Sequence, residues 1–316
     1  MQSHLSAAHF HNEVAAYGYV EARLWPNGPV CPHCGATKEH VGRLMGKTNR
    51  IGLCKCYVCR KPFTVKIGTV FESSHVPLHI WLQVIYLFCS SKKGFATRQI
   101  QRTLQCSMKT AWFLGHRIRE AMADLALTDD SGPRGGQNEV VESDETWVGG
   151  RAANRKNRIP KKQIVLSLVQ RGGKVRSFHV PDVAAATLKP IIVANVDKAT
   201  FLMTDDAPVY WPIGDAFAGH GTVNHSAEEY VRAYFWHTNT VENYFCLFKR
   251  SIYGCFFHVS EAHLHRYAAE RDFVYNHREK LGFDDQARAD AALRGVKGKR
   301  LTYATPSSRE LGDPPF

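Results

Sequence analysis

Two short motifs constrain this chain more than anything else in it: Cys31-Pro-His-Cys34-Gly and, after 21 intervening residues, Cys56-Tyr-Val-Cys59. Each C-x-x-C turn presents two thiols on one side of a tight bend, and Gly35 eases the backbone after the first. Four thiolates at that spacing complete a closed tetrahedral Zn²⁺ site. Such a site folds a segment too small to bury a core of its own. Cys31, Cys34, Cys56 and Cys59 are therefore the expected structural zinc ligands; a pair of buried structural thiols is the competing account. Cys54 is left out of the ligand set and assigned to the adjacent strand. His33 and His40 lie near enough to be alternative ligands, but four thiolates already satisfy the metal. Cys89, Cys106, Cys246 and Cys255 sit in apolar surroundings and read as small core residues.

Nine cysteines, an odd number, argue against a disulfide framework. Met1-Gln-Ser-His-Leu5 lacks the basic cap and apolar block of a secretory signal, and the best apolar stretch, Ile80 to Cys89, is too short to span a membrane. A soluble, cytoplasmic protein is expected. With 316 residues, of which 44% are apolar, the chain has material for two domains with real cores.

The net charge of +12 is not spread evenly. Residues 31–120 hold 15 Lys or Arg against Glu39, Glu72 and Glu120, so this one segment supplies the whole surplus. A concentrated basic segment suits a polyanion, because neutralised phosphates release their counterions; a solvated basic face is the blander account. A second cluster, Arg151, Arg155, Lys156, Arg158, Lys161 and Lys162, has no acid within it and falls between two strand-like segments, as a hairpin tip or loop would.

Along the chain, Phe10, Val14, Tyr17 and Leu24 recur at helical spacing until Trp25-Pro-Asn-Gly28 stops them. Pro62 to Gly68 is expected to close the ribbon as a short strand. Leu78, Trp81, Leu82, Ile85 and Cys89 mark an amphipathic helix. Thr97–Leu104 and Met108–Met122 read as two further helices around a Gln105-Cys-Ser107 turn, with Ser107 as N-cap and Ala111, Leu114, Gly115 and Ile118 as the buried stripe. Three helices with a three-residue turn before the last predict a helix-turn-helix, or a plain three-helix module. The former would expose Lys109, Thr110, His116 and Arg117 to DNA.

Asp129 to Gln137 is turn-rich and reads as a linker. Beyond it, strands are expected at Val140–Val148, Gln163–Gln170, Val175–Val180, Phe201–Thr204 and Gly221–Asn224. Helices are expected at Ala184–Val196 and around Val241, Phe245, Phe248 and Ile252. This is an α/β order. From Phe283 onward, alternating charged and small residues predict a loosely ordered tail. The expected organisation is an N-terminal helix and zinc ribbon (1–68), a helix-turn-helix domain (69–128), a linker (129–138), an α/β domain (139–282) and a tail (283–316).

Three acids stand where this order would bring them together. Asp144 lies in the first strand of the α/β domain, Asp205 follows the apolar Phe201-Leu-Met strand, and Glu242 opens the last helix. Separated carboxylates on such a scaffold suit Mg²⁺, and a pair of such ions suits phosphodiester chemistry. Strand parity puts Glu142 on the face of Asp144 and Glu145 on the other. Asp206 competes with Asp205, and Glu242, three residues after Asn239, also fits the Glu of a capping box. Lys249, seven residues after Glu242, shares its helix face and could meet a DNA phosphate.

The motifs Asp144-Glu-Thr-Trp-Val-Gly-Gly150, Thr204-Asp205, His237-Thr-Asn-Thr-Val-Glu242 and the Glu242-x6-Lys249 spacing resemble one bacterial group. It comprises the insertion-sequence DDE transposases that join an N-terminal zinc ribbon to an integrase-like catalytic domain. The Cys31 opening, Gly68-Thr-Val-Phe71, Lys109 to Arg119 and Tyr275-Asn-His-Arg278 fit the same pattern, over residues from about 10 to about 280. The resemblance implies an RNase H-like fold with a mixed five-stranded sheet and dependence on Mg²⁺ or Mn²⁺ held by Asp144, Asp205 and Glu242. It further implies recognition of terminal inverted repeats, cleavage that exposes a 3′-hydroxyl, transfer of that hydroxyl onto target DNA, and a homodimer or larger assembly. The DNA-facing set would be Lys109, Thr110, His116, Arg117, Arg155, Lys156, Arg158, Lys161, Lys162, Asn239 and Lys249. A zinc-ribbon regulator without catalysis and a structure-selective nuclease of the same fold are the alternatives.

Overall fold

A computed structural model describes residues 3–46, 48–123, 132–149, 162–223 and 235–302. They divide into two compact units: residues up to 123 together with 283–302, and residues 132–282.

In the first unit, α1 (Glu13–Leu24) starts where the Asn12 side chain accepts from the N–H of Ala15. Its buried side is Ala16, Val20 and Glu21; Val14, expected in the apolar stripe, is 63% exposed. The ribbon follows as three short antiparallel strands, β1 (Val41–Arg43), β2 (Cys54–Cys56) and β3 (Pro62–Phe63), in the order β1-β2-β3. Its core is tiny: Cys31, Cys54, Cys56 and Phe63, with Trp25 edge-on to Phe63. Next come α2 (Leu78–Ser90), α3 (Thr97–Leu104) and α4 (Met108–Ala123). Gln105 ends α3 in the left-handed region at φ 50°, and the Ser107 hydroxyl accepts from the N–H of Thr110 to begin α4.

The expected loose tail is corrected by α9 (Asp285–Arg294), which packs on α2, α1 and α4. Asp284 caps it by accepting from the N–H of Ala287 at 2.7 Å. Arg23 of α1 grips Asp290 through Nε at 2.6 Å and Nη2 at 3.0 Å, a two-pronged pair between opposite ends of the chain. Lys299 donates to the carbonyl of Glu120 at 2.8 Å.

The second unit is built on a five-stranded sheet in the order β6-β5-β4-β7-β8. The strands are β4 (Val140–Val148), β5 (Gln163–Gln170), β6 (Val175–Val180), β7 (Phe201–Asp205) and β8 (Gly219–Val223). β4, β5 and β6 are antiparallel neighbours, whereas β7 and β8 run parallel to β4. Two apolar layers cover the two faces. On one side α5 (Ala185–Asn195) and the short α6 (Trp211–Gly214), preceded by Tyr210, meet Val141, Leu166, Leu168 and Leu202. On the other, α7 (Asn239–Ser251) and α8 (Leu264–Asn276) meet Val148, Val165, Val169 and Val175.

Part of the expected linker is packed into this unit. Arg134 is 1% exposed, bridges to Val196 and donates its N–H to the carbonyl of Asn195 at 2.7 Å. Gly135 is required there: its φ is +84°, and a Cβ would stand 2.2 Å from the Thr200 hydroxyl. Under the α7–α8 layer, Asp272 accepts from the backbone N–H and hydroxyl of Ser177, both at 2.7 Å, and from the Tyr244 hydroxyl. These bonds tie both helices to β6, although burial still pushes the Asp272 carboxyl up to about 6.

Candidate active site

The period of two along β4 sorts its acids by face. Glu142 pairs with Val169 and Asp144 with Ser167, both on the α7–α8 side; Glu145 pairs with Leu166, on the α5 side. β4 has neighbours on both edges, so Asp144 stands in the middle of the sheet and not on an edge strand. β4 and β7 pair in parallel from Val140↔Phe201 to Glu142↔Met203. The pairing stops there, two residues before Asp144 on β4 and two before Asp205 at the end of β7. Both are half-buried, while Asp206, beyond the strand end, is exposed.

Glu242 comes from α7. The N-cap of that helix is Thr238, not Asn239, so Glu242 lies one position beyond the capping-box site. Its backbone N–H donates to the Thr238 carbonyl at 3.1 Å, and its carboxylate accepts from the Thr238 hydroxyl at 3.0 Å. Glu242 is exposed, as is Asn239.

Electrostatics tie the three acids together. The Asp144 carboxyl is pushed up to about 8, first by burial, then by the charges of Glu145, Asp205 and Glu242, against one favourable bond from the Glu145 N–H at 2.7 Å. Like charges at this density favour a proton or a cation on the group between them. Glu145 belongs to the other face: it is 8% exposed beside Tyr210, and burial raises it to about 7.

Glu142 is fully buried and spent otherwise. It accepts from the backbone N–H groups of Thr240 and Val241 at the start of α7, from the Thr240 hydroxyl and from Arg171. Nothing in the sequence marks Arg171, a lone Arg after a strand, or Asp272, an Asp within a helix, and Glu142 stands out there only by parity.

Lys249 is half-buried in the last turn of α7, seven residues from Glu242, which is a rise of about 10 Å on nearly the same face. In the first unit Lys109 is exposed and Thr110 half-buried, as a contacting face requires. His116 and Arg117 are not: they are 0% and 3% exposed. Arg117 donates to the carbonyls of Val70 at 2.7 Å, Glu72 at 2.9 Å and Leu301 at 3.0 and 3.2 Å, with Phe113 stacked on its guanidinium. That helix is enclosed on more sides than its apolar stripe implied. Of the second basic cluster, Arg151, Arg155, Lys156, Arg158 and Lys161 lie outside the described residues, and Lys162 is exposed.

The four ribbon cysteines do converge. Their Sγ atoms all lie within 4.8 Å of one another, and the Cys31–Cys59 and Cys34–Cys56 separations are both 3.6 Å. Those separations are close to the edge of a tetrahedron with Zn–S bonds of about 2.3 Å. The N–H of Cys59 holds the Cys56 thiol down at about 7. The N–H of Ala36 favours the Cys34 thiolate, yet burial and the neighbouring sulfurs push that thiol up to about 12. Cys54, fully buried in β2, stays outside the set.

Residues 11–62 match a transposase zinc-ribbon domain, which with the four cysteines supports structural Zn²⁺, and residues 136–276 match an ISXO2-like transposase domain. An uncharacterized protein in transposable element ISH50 of Halobacterium salinarum is 28% identical over 260 residues, covering 76% of this chain and 83% of that one. No solved structure matches the chain. Among the described residues no helix is long and apolar enough to cross a membrane. With a ribbon match before an α/β transposase match, the chain is similar over both domains to the insertion-sequence transposases that join them.

Proposed function

We propose that this chain is the DNA transposase of an insertion sequence, binding the element's terminal inverted repeats and catalysing metal-dependent strand cleavage and strand transfer at Asp144, Asp205 and Glu242. What supports this reading is that the charges of Asp205 and Glu242 both bear on the Asp144 carboxyl, with Asp144 and Asp205 on neighbouring parallel strands and Glu242 on a helix covering the sheet. The sheet order, three antiparallel strands followed by two parallel ones with helices on both faces, supports an RNase H-like fold.

The donor set fits Mg²⁺ or Mn²⁺, because it is all carboxylate oxygen and carries an excess of like charge that a hard cation relieves. Asp144 and Asp205 would hold the cation from the sheet and Glu242 from the helix. A bound pair of such ions supplies activation of the attacking oxygen and stabilisation of the leaving oxygen in an in-line displacement at phosphorus. The chain's own part is to keep three carboxylates oriented: Thr238 holds Glu242, and the Glu145 and Ala207 N–H groups hold Asp144 and Asp205. Lys249 would meet a phosphate of the strand in the site.

End recognition is assigned to the ribbon and to α3–α4, whose three-residue turn with left-handed Gln105 supports a helix-turn-helix. Lys109 and Thr110 stand in the first turn of α4, where recognition helices reach base edges. Joining two ends calls for a dimer or larger assembly, acting on DNA in the cytoplasm.

The test incubates the full chain with duplexes carrying candidate element ends, Mg²⁺ and a target plasmid, and maps the products. Joined ends from the wild type, with Asp144→Asn binding the ends but cutting nothing, are expected. Nicks without joining would favour the nuclease, and undiminished joining by Asp144→Asn would overturn the site.

A further inference from the structure

Helix α7 begins without a cap of its own. Its N-cap residue Thr238 makes no side-chain bond to the first-turn N–H groups, because its hydroxyl is turned onto Glu242. Those N–H groups still need acceptors. Glu142 provides them from the central strand: one carboxylate oxygen accepts from the N–H of Thr240 at 2.8 Å and of Val241 at 2.9 Å. The other accepts from the Thr240 hydroxyl at 2.9 Å and from Arg171 Nε at 2.6 Å, with His237 Nδ1 at 3.3 Å. Arg171 in turn holds the chain entering the helix, donating to the carbonyls of Phe235 at 2.8 Å and His237 at 2.7 Å.

Position makes this arrangement more than a helix cap. Glu142 and Asp144 share one face of β4 at a strand spacing of about 6.7 Å, and Glu242 follows the capped residues by one place in α7. The start of the helix is thus pinned to the strand two residues from Asp144. The Glu142 carboxylate is saturated by donors and matched by a guanidinium, so it does not compete with the three acids for a cation.

We infer that Glu142, clamped by Arg171, is a positioning residue: it docks the N-terminus of α7 on β4 so that Glu242 reaches the cation held by Asp144 and Asp205. This rests on the function proposed above. Glutamine at 142 would keep the volume but turn an N–H₂ toward backbone N–H groups or the guanidinium, so the helix start must shift. Loss of an outer partner of a metal ligand commonly weakens metal binding about 10–100-fold.

The experiment titrates the full chain with Mn²⁺, following free Mn²⁺ by electron paramagnetic resonance, for wild type, Asp144→Asn, Glu142→Gln and Thr240→Val. Urea midpoints are measured on the same samples. Wild type is expected to bind at a site that Asp144→Asn abolishes. Glu142→Gln should bind about 10–100-fold more weakly while folded, and Thr240→Val should shift the same way by less. If Glu142→Gln does not fold, Thr240→Val alone decides. Wild-type Mn²⁺ affinity in the folded variants would overturn the inference while leaving the proposed site standing. A wild type without any Asp144-dependent site would remove the proposed function itself.

Discussion

Replacing Arg117 separates a DNA contact from a structural strut. Its guanidinium makes four hydrogen bonds to three carbonyls, those of Val70, Glu72 and Leu301, and it is 3% exposed. Bonds to a charged group are worth about 1.5–3 kcal/mol each, and stranding a buried acceptor costs about 1–3 kcal/mol. Allowing for water reaching the less buried carbonyls, Arg117→Ala should cost about 4 kcal/mol, a large share of the stability of a typical domain. Arg117→Lys, whose ammonium reaches fewer of the three carbonyls, should cost roughly half of that. Urea unfolding of the full chain, with hydrogen exchange across α4, reads the effect. Binding of folded Arg117→Lys to DNA, measured from low to high salt, should keep the wild-type slope, whereas Lys109→Ala should reduce it by about one counterion. An Arg117→Lys protein with a wild-type urea midpoint and a shallower salt slope would refute the argument and return Arg117 to the DNA face.

Two further outcomes follow from the charged clusters. An acid whose folded pKa is raised keeps a proton that the unfolded chain has lost, so the metal-free protein should lose stability as pH climbs from about 4 to about 8 through Asp144. Asp144→Asn removes that share and should outstrip wild type by up to about 5 kcal/mol at pH 8 but little near pH 4, with Mg²⁺ narrowing the gap; a difference flat with pH would refute it. Removal of Zn²⁺ by a chelator should abolish amide protection in β1–β3, whose core is four residues, and leave the sheet of the second unit protected. Protection retained in the ribbon after verified metal loss would show that the core suffices.

Much of the secondary structure was legible because local pattern and tertiary burial agree. Alternating and β-branched runs marked β4 to β7 to within a residue, and apolar spacing marked α2, α3 and α4. Where they disagree, the reading failed for identifiable reasons. The buried side of α9 is mostly alanine, with Leu293, a weak signal whose docking surface comes from the other end of the chain. His116 and Arg117 are polar, so pattern alone puts them outside; Arg117 is enclosed because the carbonyls of Val70, Glu72 and Leu301 take its guanidinium, and His116 is buried beside the Trp112 ring. Arg134 sits in a stretch whose Gly and Pro content resembles a linker, yet Gly135 serves close packing on Thr200.

Taken alone, the sequence determined the ribbon, since thiol chemistry and spacing are local, and it named Asp144, Asp205 and Glu242 by motif. It could also place Glu142 on the face of Asp144, because strand parity needs no partner. Only the tertiary structure decided what Glu142 does there. Helix α7, Arg171 and β4 are separate stretches of chain, and the hydrogen bonds that consume one carboxylate while leaving its neighbour exposed to like charge exist only once they are packed together.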